Sequence, residues 1–188
     1  MATTSEVEIC NMSLEELGVD TITSLTDDTS KRAQTCNRHY EATRDELLKM
    51  HDWHWARKRV ALNRLVATPL NDYSWQFQLP TDFLRVVKAY PEGCPYNIVG
   101  TLLESNEPSV NLLYVWRVTD PLTFDPLFVS ALAYRLAWKM AMTLTGSRER
   151  ASDMLQKYSD ALGISTNRDS SSDTPDEYVS DNLQAVRW

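Results

Sequence analysis

Apolar positions recur at helical spacing in four stretches of this chain, and between the second and third stretch they alternate instead. Val7, Cys10, Leu14 and Leu17 share one helical face. Ser5 and Glu8 ahead of them have the spacing of a capping box, and Gly18 supplies a stop. Ala33, Cys36, Tyr40, Thr43, Leu47 and Met50 keep one stripe over about five turns, which predicts a long second helix. From Trp53 the period changes. Tyr73, Trp75, Phe77 and Leu79 alternate with polar residues up to Pro80, and the stretches 84–90 and 110–116 are rich in β-branched and aromatic residues. These features predict three or four antiparallel strands, with turn chemistry at Pro91–Pro95 and at Glu104–Ser109.

The third helical stretch, about 126 to 143, is apolar around most of its circumference. Its polar residues reduce mainly to Ser130 and the line Arg135, Lys139, Thr143, so the helix is expected to be the most buried of the four. Asp125 is placed to cap it, Pro126 suits its first turn, and Gly146 with Ser147 ends it and starts another. In that fourth helix Ala151, Met154, Leu155, Tyr158 and Leu162 share a face, with Gly163 as the expected stop. The pattern predicts an α+β fold: a bundle of about four helices, a small antiparallel β-region inserted at about 55–117, and an extended C-terminal tail. The domain is expected over 1–164 and the tail over 165–188.

From Ser165 the composition turns to Ser, Thr, Asp and Asn through Asp176-Glu177, too polar to offset the entropy of ordering. Apolar and aromatic residues then return at Tyr178, Val179, Leu183, Val186 and Trp188, with Arg187 among them. Two readings stand side by side: a segment that orders on a partner, and a tail folded back onto its own domain.

Composition narrows the function classes. With 188 residues, 43% of them hydrophobic and 24% charged, the chain has the make-up of one globular domain with a sizeable core. Arg135 and Lys139 interrupt the best candidate for a membrane span. The N-terminus Met1-Ala-Thr-Thr-Ser-Glu6 has neither the basic nor the apolar part of a signal peptide, so a cytosolic protein, or a particle assembled in the cytosol, is expected. Cys10, Cys36 and Cys94 are odd in number and widely spaced, which fits neither a disulfide framework nor a zinc site. His51 and His54 are spaced to share a metal but have only Asp52 as a nearby carboxylate. There is no Gly-rich phosphate loop and no nucleophile elbow, and the Asp residues before helices are explained by capping. No enzyme, cofactor or metal is predicted.

A formal net charge of −7 disfavours a protein that grips nucleic acid, because affinity for phosphates comes mainly from Lys and Arg. The one basic cluster is Arg57-Lys58-Arg59 with Arg64. It reads as a solvated strand face or a subunit contact, with a DNA site as the competing reading.

Several short strings, taken in order, go further than the periodicities. They are Glu8-Ile-Cys-Asn-Met12, Ile22-Thr-Ser-Leu-Thr-Asp27, the run from Tyr40 to Leu48, His51-Asp-Trp53, Gln78-Leu-Pro-Thr-Asp-Phe-Leu-Arg85, the stretch from Arg117 to Ser147 and, within it, Leu144-Thr-Gly-Ser147. Over residues 5 to 165 this collinear series resembles the tail tubular protein A family of short-tailed bacteriophages. The resemblance implies a structural virion protein, a head-to-tail adaptor that forms a dodecameric ring beneath the portal protein. The tail nozzle protein, of the tail tubular protein B type, would attach below, and genome DNA would pass through the bore without tight binding. The location implied is the head–tail junction of a virion assembled in the host cytoplasm. The family's C-terminal end runs against the portal, which by position gives Tyr178, Val179, Leu183, Val186, Arg187 and Trp188 as the portal-docking residues here. A DNA-binding or DNA-packaging accessory protein is the alternative function.

Overall fold

The computed structural model describes residues 5–70 and 73–170. Four helices carry the larger core: α1 (Glu6–Glu16), α2 (Lys31–Met50), α3 (Pro126–Thr145) and α4 (Arg148–Ser170). The start signals at Ser5 and Asp125 act as the sequence predicts, and Ser30 supplies a third cap. Ser5 accepts the Glu8 amide at 3.1 Å, Ser30 accepts the Ala33 amide at 3.2 Å, and Asp125 accepts the Leu127 amide at 2.8 Å, so each helix begins with an orphan donor satisfied. Gly146 ends α3 at φ +67, a left-handed position that a side chain would strain.

α3 packs against α1, α2 and α4 at once. Its Phe128, Leu132, Leu136 and Met140 are fully buried, and Ala131, Ala133, Ala137 and Ala141 between them let neighbouring helices approach closely. Of its polar residues, Ser130 bonds back to the Pro126 carbonyl, while Arg135 and Lys139 both reach Glu46 on α2. The polar line thus runs along the α2–α3 seam. On α2 the predicted stripe is buried from Ala33 to Leu47, but Met50 at its end is half exposed.

Between α2 and α3 the described residues form seven strands in two sheets, where three or four were expected. They are β1 (Arg57–Ala61), β2 (Asn63–Arg64), β3 (Trp75–Gln78), β4 (Phe83–Tyr90), β5 (Tyr96–Val99), β6 (Leu102–Ser105) and β7 (Asn111–Trp116). The sheet orders are β1-β7-β4 and β2-β3-β6-β5, and every pairing is antiparallel. Glu104 and Ser105, expected in a turn, belong to β6; the connection to β5 is made by Gly100 and Thr101, with Gly100 at φ +61. Strands β2, β5 and β6 escaped the sequence reading because their two to four residues carry no alternation like that from Tyr73 to Leu79.

Strand β7 explains how the two cores join. Leu112 and Tyr114 point to one face and pack with Phe77, Leu79 and Leu103 in the core of the β-region, whereas Val115 points to the other face and joins Leu84 and Val118 in the helical core. A central strand covered on both faces holds the β-region to the helices.

The end of α4 departs from expectation. Gly163 does not stop the helix, which runs on to Ser170, and the polar stretch from Ser165 is helical as far as that residue. Met154 and Tyr158 are buried as predicted, but Leu155 is 39% exposed, and Ser165 is buried one turn beyond Leu162. Glycine in a helix interior costs about 1 kcal/mol relative to alanine, which tertiary contacts at the helix end readily offset. Among the described residues no helix is long and apolar enough to cross a membrane.

Candidate functional site

The docking residues expected from the sequence, Tyr178, Val179, Leu183, Val186, Arg187 and Trp188, lie outside the described residues. The described residues do show how the helix that leads to them is anchored. Ser165 and Thr166 satisfy their hydroxyls on the Leu162 carbonyl, at 3.0 and 2.9 Å. One turn on, the Asp169 carboxylate lies 3.1 Å from His51 Nε2 and 3.0 Å from His54 Nδ1, and it accepts the His54 backbone N–H at 3.1 Å. An ionised carboxylate only accepts, so both ring nitrogens facing it carry hydrogen.

The His51 imidazole is held in place by aromatic packing. His51 meets Trp53 edge-on at 4.8 Å, and Trp53 and Trp55 both pack on Phe128 near the start of α3, at 5.2 and 5.0 Å. Trp53 also donates its indole N–H to the Leu47 carbonyl at 3.1 Å, which ties the turn to the end of α2. His51 and His54 therefore converge, as their spacing allows, but on Asp169. Among the described residues no group of three His, Cys, Asp or Glu is placed to hold a metal ion. Asp169 was invisible to sequence reasoning because it sits in a polar run and its partners are more than a hundred residues away.

Beside this clamp an open cleft of about 540 Å³ is lined by Trp53, Trp55, Pro126, Ile164 and Arg168. Ile164 is 57% exposed on its rim. The end of α4 thus presents apolar surface next to a fixed polar anchor.

The basic cluster divides in two. Arg57 forms a two-bonded ion pair with Asp52, at 2.8 and 3.0 Å. Lys58 reaches Asp82 at 2.8 Å and lies 3.5 Å above the Trp116 ring. Burial raises the Asp82 pKa, but the hydrogen bonds from Lys58 and Tyr114 outweigh that effect and hold it below its ordinary value. Arg64 stacks over Trp75 at 4.3 Å and Arg59 points to solvent; among the described residues neither is in an ion pair. A strand face and a stacking position account for the cluster, and its charge is partly cancelled.

Cys10 and Cys36 are buried together in the helical core, and Cys36 also meets the Met140 sulfur at 3.6 Å. The hydrogen bond to Cys36 and burial push the Cys10 thiol up, so it stays protonated. Both act as small apolar groups. Comparison with models of known protein families and with curated proteins found no match to this chain.

Proposed function

We propose that this chain is a head-to-tail adaptor subunit of a short-tailed bacteriophage, of the tail tubular protein A type, which assembles as a ring between portal and tail nozzle. The observation that carries the reading is the collinear series of sequence strings from Glu8 to Ser147. Further support comes from an α+β fold of four helices with antiparallel sheets, the architecture that this resemblance implies. The engagement of Arg57 with Asp52 and of Lys58 with Asp82 weighs against the alternative of a DNA-gripping accessory protein, since paired cations release fewer counterions on meeting phosphate.

The mechanism is mechanical and electrostatic. A ring of like subunits needs a heterologous interface, one patch of each copy meeting a different patch of the next, with closure setting the number. Repetition then multiplies weak contacts, so that a C-terminal segment with modest affinity for portal holds firmly when presented many times. A net charge of −7 per subunit lets phosphates pass without being held.

Negative-stain microscopy of the purified chain, with and without a portal ring, tests this reading. Rings of uniform diameter seated on the portal are expected. A chain that stays unassembled and never occupies the portal sinks it.

A further inference from the structure

Among the described residues the four-stranded sheet ends in two open edges of unlike character. At one edge β5 runs with all four residues exposed; Tyr96, Ile98 and Val99 show 40%, 37% and 48% of their surface to solvent. At the other, β2 is exposed and continues through Leu65, whose amide donates to the Gln76 carbonyl at 2.8 Å, into a segment where Val66 and Leu70 are fully exposed. A strand edge carries a row of unpaired N–H and C=O groups, and proteins usually blunt it with charge, proline or a bulge. None of Tyr96-Asn97-Ile98-Val99 is charged or proline.

We infer that β5 of one copy accepts the β2 segment 63–66 of a second copy as a fifth antiparallel strand, joining subunits head to tail. Three observations support the pairing. The first is polarity: the pairs β2–β3, β3–β6 and β6–β5 are all antiparallel, so strand direction alternates and the next strand beyond β5 must run as β2 does. A second copy in the same orientation presents β2 in that direction.

The second observation is register. One row of the sheet runs Asn63, Gln78, Leu102, Val99, and the next runs Arg64, Phe77, Leu103, Ile98. Extending these rows by one strand sets the second copy's Asn63 opposite Val99, its Arg64 opposite Ile98 and its Val66 opposite Tyr96. The exposed Val66 then packs against the exposed Tyr96, while Ile98 and Val99 are covered by the Arg64 stem and Asn63.

The third is charge. The β2 edge carries Arg64, outside any ion pair among the described residues, whereas β5 itself carries no cation and Glu107 lies close to Cys94 just ahead of it. Pairing of two β2 edges would bring Arg64 against its own copy, so an edge with a cation facing one without favours head-to-tail pairing over pairing of like edges.

This contact rests on the adaptor reading for its biological setting, and a test on the full chain separates the two. In a Cys94→Ser background, Asn63→Cys and Val99→Cys are introduced singly and together, and concentrated protein is treated with a short bismaleimide. The double variant is expected to give a ladder of dimers, trimers and larger species on a denaturing gel, and each single variant to remain monomeric. Absence of the ladder overturns the inference. So does a dimer from Val99→Cys alone, which means that two β5 edges meet about a two-fold axis.

The second measurement uses Ile98→Lys with Val99→Lys, two exposed side chains whose replacement leaves melting unchanged. Loss of rings seen with the unmodified chain supports the contact. Rings that persist overturn it and leave the adaptor reading standing, while a ladder without any closed ring keeps the contact and removes the adaptor reading.

Discussion

Lys58 Nζ lies 2.8 Å from Asp82 Oδ2, so the central cation of the basic cluster is already matched by a carboxylate of its own subunit. Tyr114 donates its hydroxyl to the other oxygen of Asp82 at 2.9 Å and is itself buried. The three side chains tie β1 and β7 to the start of β4. Tyr114→Phe removes one hydrogen bond to a charged acceptor and should cost about 1–2 kcal/mol, read as a lower urea midpoint with unchanged slope. A midpoint equal to that of the unmodified protein counts against the network.

Glu46 is the second matched carboxylate. Burial raises its pKa, but hydrogen bonds from Lys139 and Arg135 more than reverse this and hold it below the ordinary 4.5. A depressed carboxylate stabilises the fold fully above its unfolded-state pKa, and this contribution disappears as pH falls through the folded-state value. Glu46→Gln should therefore lower stability at neutral pH, and its deficit should shrink as pH drops below 4.5. The check is a pair of denaturant titrations, at neutral pH and near pH 3. An undiminished deficit in acid shows that the substitution acts by some route other than charge.

The third helix carries the core. Leu132 and Leu136 are each 0% exposed. Replacing either by Ala should cost about 2–5 kcal/mol, the lost transfer energy plus the cavity left behind. Unaltered melting of both variants would refute the central placement of α3.

Local chemistry made much of this fold legible, and long-range pairing hid the rest. Ser5, Asp125 and Gly146 signal helix ends within a few residues of themselves, and the stripe from Ala33 to Leu47 needs only its own period. The β5–β6 hairpin was missed because four-residue strands flanked by proline and glycine resemble loops. The helix end at Ser170 was missed for a different reason. Gly163 and the polar run after it argue for termination locally, and the contacts that override them come from His51 and His54 on another element. The polar line of Arg135 and Lys139 was visible, yet nothing nearby in the sequence names Glu46 as its acceptor.

Asp169 should thus hold the last turns of α4. Asp169→Ala removes the acceptor for two imidazoles and the His54 amide, leaving those donors in a partly buried setting. Faster amide exchange from Gly163 to Ser170 is expected, with little change in α1 to α3. Exchange that rises evenly over the whole chain, or nowhere, contradicts a local clamp.

The C-terminal segment supplies the most direct test of function. Tyr178 and Trp188 are rigid aromatic side chains that bring large contact area at small entropic cost, and Arg187 is suited to a carboxylate or carbonyl on a partner. Leu132, Met154 and Tyr158 belong to a buried cluster formed among the described residues of all four helices. Truncation after Ser170 should leave a domain that melts normally and no longer binds portal, and particles built with it should lose packaged DNA or lack tails. A truncated protein that unfolds assigns the segment to its own domain's core. Normal docking by the truncated protein moves the portal contact elsewhere, to the exposed loop of Pro91–Pro95 or to the cleft beside Ile164 and Arg168.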